Sequence, residues 1–110
     1  MCAVFVGIPL TPSIGNLFAG SVATEIKLEI KTLASGEGSG FKFNIIPVRN
    51  GMVEPRQMFM NDTYQSGEFV TLTVGDLTEG GTYSFSATAE NNYGESGIAN
   101  SPAIVIGGLS

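Results

Sequence analysis

Histidine and tryptophan are absent from the 110 residues, and cysteine occurs once, at Cys2. Without histidine there is no Ser-His-Asp or Cys-His arrangement, and the usual zinc sites lose a principal ligand. A single thiol rules out an intrachain disulfide, so the fold has to stand on packing alone. Cys2 itself reads as a small apolar residue in an extended N-terminal segment. Charge is scarce too, at 14% of residues against the usual ~25%. Ten acidic residues face only Lys27, Lys31, Lys42, Arg49 and Arg56, for a net charge of -5. Five scattered cations make no basic stripe to neutralise phosphates, so nucleic acid is not an expected partner. No run approaches the ~20 apolar residues of a membrane-spanning helix, and no glycine-rich phosphate loop or ligand cluster calls for a cofactor.

What is present is alternation. The length suits one domain with a modest core, and its most legible stretch is Leu77 to Ser96, LTEGGTYSFSATAENNYGES. Tyr83, Phe85, Ala87 and Ala89 recur at every second position, with Ser84, Ser86, Thr88 and Glu90 between them. That is the period of a strand with one buried and one wet face. Gly80 and Gly81 supply a tight corner before it, and Asn91, Asn92 and Gly94 have turn chemistry after it. The spacing of Leu77, Gly80, Tyr83, Phe85, Ala87, Ala89, Asn91, Gly94 and Ser96 resembles strands E to G of fibronectin type III domains. The resemblance runs from about Thr11 to Gly107, although this chain has Glu79 where the family often has proline and no tryptophan for strand B. It implies an all-β, seven-stranded antiparallel β-sandwich of the fibronectin type III or immunoglobulin-like kind. It also implies that the Tyr83 hydroxyl turns back onto backbone a few residues upstream, as a tyrosine corner.

Taken in order, the first 24 residues carry no charged side chain. MCAVFVGIPL has no positively charged leading region and is broken by Gly7 and Pro9, so it reads as an extended segment and not as a secretion signal. Residues 1–10 are expected to form an apolar arm, with the domain over 11–110. A first edge strand passes through Ile14 and Leu17, near the prolines that edges tolerate. Within ATEIKLEIKTL the apolar Ile26, Leu28 and Ile30 separate from Glu25, Lys27, Glu29 and Lys31 only if the segment is a strand, strand B. Ser35 to Gly40 is a flexible loop, followed by strand C through Phe41, Phe43 and Ile45. Asn50-Gly51 is a two-residue hairpin signal into a short C′ strand. Asn61-Asp62-Thr63 is formally a glycosylation acceptor. Val70, Leu72 and Val74 form the core set of strand E, and Ala99 to Ile106 the last strand, G.

Nothing in this pattern assembles catalytic chemistry, and no enzyme activity is expected. The favoured expectation is a structural or assembly module that packs on protein subunits, among them copies of itself, through sheet edges and apolar termini. The N-terminal arm, with Val4, Phe5, Val6 and Ile8 as its contact residues, is the expected site: uncharged, strand-prone and an aggregation hazard unless covered. A virion surface, phage decoration or tail component fits a chain without an export signal. The alternative is a cell-surface or secreted adhesion or carbohydrate-binding module, with Phe18, Phe59, Tyr64 and Tyr93 as the aromatic candidates for a glycan.

Overall fold

The computed structural model describes residues 7–33, 40–60, 64–65 and 67–106. Val4, Phe5 and Val6, Cys2, most of the Ser35–Gly40 loop and Asn61-Asp62-Thr63 therefore lie outside the described residues. Strands are the only regular elements among the described residues: β1 (Ser13–Ala19), β2 (Ile26–Lys31), β3 (Lys42–Arg49), β4 (Met52–Val53), β5 (Gln57–Met60), β6 (Val70–Val74), β7 (Thr82–Asn91), β8 (Gly94–Glu95), β9 (Ala99–Asn100) and β10 (Ile104–Val105). They form two antiparallel sheets. One has three strands in the order β1-β2-β6. The other has seven, along β10-β7-β3-β4, with β5 on β3 and both β8 and β9 on β7.

The alternating patterns decide which face goes inward. Ile26, Leu28 and Ile30 of β2, with Leu72 and Val74 of β6, meet Phe43 and Ile45 of β3 and Tyr83, Phe85, Ala87 and Ala89 of β7 in one buried cluster. This is a β-sandwich arrangement, each sheet giving its apolar face to a common core. Asn50 and Gly51 both adopt positive φ, 50° and 86°, the conformation a two-residue hairpin needs if its twist is to match the strands. The hairpin pairs Val48 with Val53 and Arg49 with Met52. Beyond the interruption at Glu54–Arg56 the chain returns to β3 as β5, pairing Phe43 with Phe59. The expected C′ strand is thus longer than its short first segment, and Pro55 is what divides it.

The corner before β7 is built as the alternation and the glycine pair imply. Gly80 has φ of 85°, while a Cβ on Gly81 would lie 2.9 Å from Cδ of Arg49, so the first glycine is needed for conformation and the second for space. Tyr83 is fully buried, and its hydroxyl accepts a hydrogen bond from the Thr78 N–H at 2.9 Å. The same hydroxyl donates to Oε1 of Glu54 at 2.9 Å, and Glu54 also meets Nε of Arg49 at 3.2 Å. One buried phenol therefore joins the β6–β7 connection to the β4–β5 connection.

The last strand differs from its expected form. Instead of one run over Ala99 to Ile106 there are two two-residue ladders, β9 and β10, and with β8 ahead of them the chain pairs with β7 in three short pieces separated by two serines in identical roles. The Ser96 N–H donates to the Ala89 carbonyl at 2.8 Å, while its Oγ accepts from the Ala89 N–H at 2.9 Å and donates to the Gly97 carbonyl at 2.8 Å. Ser101 repeats this on Phe85: its N–H donates at 2.9 Å, its Oγ accepts at 2.9 Å and donates to Pro102 at 2.9 Å. In each case the hydroxyl occupies the place of a strand carbonyl. The pairing then advances by one residue, from Glu95 opposite Glu90 to Ala99 opposite Ala87 to Ile104 opposite Tyr83. These are two bulges, each started by a serine.

Removing the phenol oxygen by Tyr83→Phe leaves the Thr78 N–H without its acceptor and the Glu54 carboxylate with Arg49 alone, and should cost about 1–3 kcal/mol, read as a lower urea midpoint at unchanged slope. An unchanged midpoint would remove the hydroxyl from this role. Ser101→Ala leaves the buried Phe85 N–H without its acceptor and should also cost ~1–3 kcal/mol, whereas Ser86→Ala, on the outer face, should stay within about 0.5 kcal/mol. Equal effects from the two serine variants would contradict the bulge assignment.

Candidate interaction surfaces

The root of the N-terminal arm is fixed to the sandwich. Asn91, at the end of β7, is buried, and its Nδ2 donates to the Gly7 carbonyl at 2.7 Å. Its Oδ1 accepts from the N–H groups of Tyr93 at 2.9 Å and Gly94 at 3.3 Å. One carboxamide thus closes the β7–β8 turn from inside and holds the arm against it. Gly7 lies flat on the Tyr93 ring, where a Cβ would come within 2.5 Å. Ile8, expected as a contact residue, is 40% exposed with its Cγ2 beside Gly94. Pro9 is fully buried, and the Leu10 carbonyl accepts from Oγ1 of Thr32 at 2.7 Å. Residues 7–10, expected as part of the arm, are therefore seated on the packed domain.

The four aromatic candidates separate. The Tyr64 ring stacks on Phe41 at 4.9 Å and meets Phe43 edge-on at 5.3 Å. Its hydroxyl accepts from the Thr32 N–H at 2.8 Å and donates to the Glu68 carbonyl at 2.8 Å. Phe59 packs against the core. Both are structural, while Phe18 and Tyr93 remain 44% and 62% exposed. Phe18 sits opposite Lys27 at the start of β2, and Tyr93 follows the far end of β7, so the two lie at opposite ends of the sandwich and share no site. Tyr93 borders an open depression of about 470 Å³ with Gly40, Lys42, Met60 and Glu90.

The outer face of the larger sheet holds a polar network that strand alternation does not reveal. Thr88, expected on a wet face, is 5% exposed, because its hydroxyl lies 2.5 Å from Oε2 of Glu95 and 3.3 Å from Nδ2 of Asn44. The Asn44 amide also donates to Glu90 at 2.9 Å and to Glu95 at 3.3 Å, bridging two carboxylates. Lys42 stands 3.8 Å from Glu90 and Arg56 3.6 Å from Glu95. Two cations offset two carboxylates, so the cluster is locally neutral. Among the described residues no group of three or more Asp, Glu, Cys or His side chains could hold a metal ion.

A second concave feature is apolar. A crevice of about 270 Å³ opens between the β1–β2 turn and β10, lined by Val22, Ala23, Ile26, Ile104 and Val105, with Glu25 its one charged residue. Val22 and Val105 are 56% and 41% exposed there. The tight approach of Gly20, where a Cβ would come 2.5 Å from that of Glu25, shapes the turn forming its wall. Both bordering strands, β1 and β10, are the last of their sheets on that side. The chain matches no family model and no curated protein.

If the Asn91 carboxamide holds the arm root, Asn91→Ala should raise amide hydrogen exchange at Gly7, Ile8 and Leu10 and at Tyr93 and Gly94 by about ten-fold or more, leaving β2 and β3 protected. Unchanged exchange at Gly7, Ile8 and Leu10 would show that Asn91 does not anchor them.

Proposed function

We propose that this protein is a non-enzymatic structural module, a fibronectin type III or immunoglobulin-like sandwich that assembles with other protein subunits, on a virion surface as a phage decoration or tail component. The observation that carries the reading is the distribution of exposed apolar side chains. On a chain of 11.5 kDa, Val22 and Val105 border the crevice, while Met52, Val53, Met58 and Met60 line the opposite, β4–β5 side. Monomeric proteins normally blunt such edges with charge. The buried Tyr83 corner and a strand order in which β4 with β5, and β8 to β10, each stand for one strand support the type of sandwich. The carboxylates of the outer face are tied to cations and to Asn44, which suits a packed surface better than acid-base chemistry.

The alternative, a cell-surface adhesion or carbohydrate-binding module, is favoured by one feature, the exposed Tyr93 ring beside its open depression. Aromatic faces with flanking polar groups suit sugars.

Sedimentation of the full-length protein over a range of concentrations separates the two. Assembly predicts a mass that rises in multiples of 11.5 kDa and no glycan binding. A monomer at every concentration, with glycan binding abolished by Tyr93→Ala, would establish the alternative instead.

A further inference from the structure

We propose that Met58 and Met60 of β5, with the side-chain carbonyl of Asn44 on the neighbouring strand, form a binding site for a soft monovalent cation of the Cu(I) or Ag(I) class. The site goes beyond the assembly reading and does not depend on it. Strand alternation brings its sulfurs together. Phe59 packs against the core, so Met58 and Met60 on either side of it project from the outer face of the larger sheet, where both are exposed. Their Cα atoms lie about 6.7 Å apart along the strand. A methionine side chain has three rotatable bonds and a polarisable sulfur, so two thioethers at this spacing can converge on one ion.

Asn44 points to a ligand independently. It stands opposite Met58, is 1% exposed, and its Oδ1 is buried with no hydrogen-bond donor among the described residues. Turning the carboxamide round does not cure this. Its Nδ2 donates to Glu90 and Glu95, and an oxygen in that place would face two carboxylates. Thr88, Glu90 and Glu95 belong to β7 and β8, all on one side of β3. With Nδ2 held there, Oδ1 turns toward β5, where Met58 is its cross-strand neighbour. A buried carbonyl without a donor is unfavourable, and a cation on the adjacent thioethers supplies the missing positive partner.

The donor set selects the ion. Thioethers suit soft cations such as Cu(I), whereas carboxylates and water suit Mg²⁺ and Ca²⁺. The two nearby carboxylates are engaged by Asn44 and by Lys42 and Arg56, so a hard divalent cation finds no charged ligand set of its own. Two cations and two carboxylates leave the surroundings neutral, which a single positive charge tolerates better than a double one.

Silver(I), which keeps its oxidation state, is the probe. It is added as the nitrate to dilute full-length protein carrying Cys2→Ser, so that no thiol competes. By NMR the methyl resonances of Met58 and Met60 should shift together and saturate at one equivalent, with Met52 unmoved, and the Asn44 side-chain amide should shift over the same range. Met58→Leu and Met60→Leu, which nearly conserve volume, should each weaken uptake about ten-fold or more, the least that losing a supporting group costs a metal site. Together they should abolish it, whereas Met52→Leu should leave it unchanged. Uptake that survives the double variant, or that moves Met52 as much as Met58 and Met60, overturns the site. An Asn44 amide that stays in place while both methyls shift overturns its part as third donor. Failure on either count leaves the assembly reading untouched, because the dilute protein is tested without association.

Discussion

A buried phenol cannot be left without hydrogen-bond partners, and the position of Tyr83 follows from that requirement. Its ring is enclosed by the core, so its hydroxyl has to find partners nearby, and those available are the Thr78 N–H and the Glu54 carboxylate. Meeting that need ties the crossing from β6 to β7 against the link between β4 and β5. It also fixes where β7 starts. The pairings of the larger sheet are counted from there, Arg49 opposite Tyr83 on one side and Ile104 on the other. Gly80 and Gly81 are consequences of the same constraint, one giving the positive φ that turns the chain and the other the room for Arg49 beside the ring.

The two serines set the character of the far edge. A regular strand on β7 would present an unbroken row of N–H and C=O groups to solvent, a template for any β-prone chain. With Ser96 and Ser101 supplying hydroxyls in place of carbonyls, β7 keeps its own hydrogen bonds while the outer edge is broken into short pieces. What this side leaves exposed is then mainly apolar side chain, Val105 among it.

Those parts of the fold that bury one face of a strand were legible in the sequence. The sets Ile26-Leu28-Ile30, Phe43-Ile45, Leu72-Val74 and Tyr83-Phe85-Ala87-Ala89 alternate because alternation is what burial of one face demands, and each lies inside. The Asn50-Gly51 turn was equally plain, since few residue pairs tolerate its two positive φ angles. Less legible was whatever depends on a partner remote in the chain. Thr88 and Asn44 look wet by parity and are buried because Glu90 and Glu95 reach them across strands. Tyr64 looks like an exposed aromatic, yet a hydroxyl bond to Thr32, distant in sequence, seats it on Phe41. β5 was hidden by Pro55, and the fracture of the last strand by serines whose role is not periodic. The crevice could not be read at all, because its walls come from opposite ends of the chain.

If the protein assembles as proposed above, neighbouring subunits cover apolar side chains that one copy leaves exposed, Val22 and Val105 on one side or Met52, Val53, Met58 and Met60 on the other. Hydrogen–deuterium exchange on dilute and assembled protein examines this residue by residue. Assembly should confer new protection on the β1–β2 turn with Ile104 and Val105, or on the β4–β5 side, with the Tyr93 depression unchanged. Protection confined to the Tyr93 depression, or no difference between the two states, would contradict it.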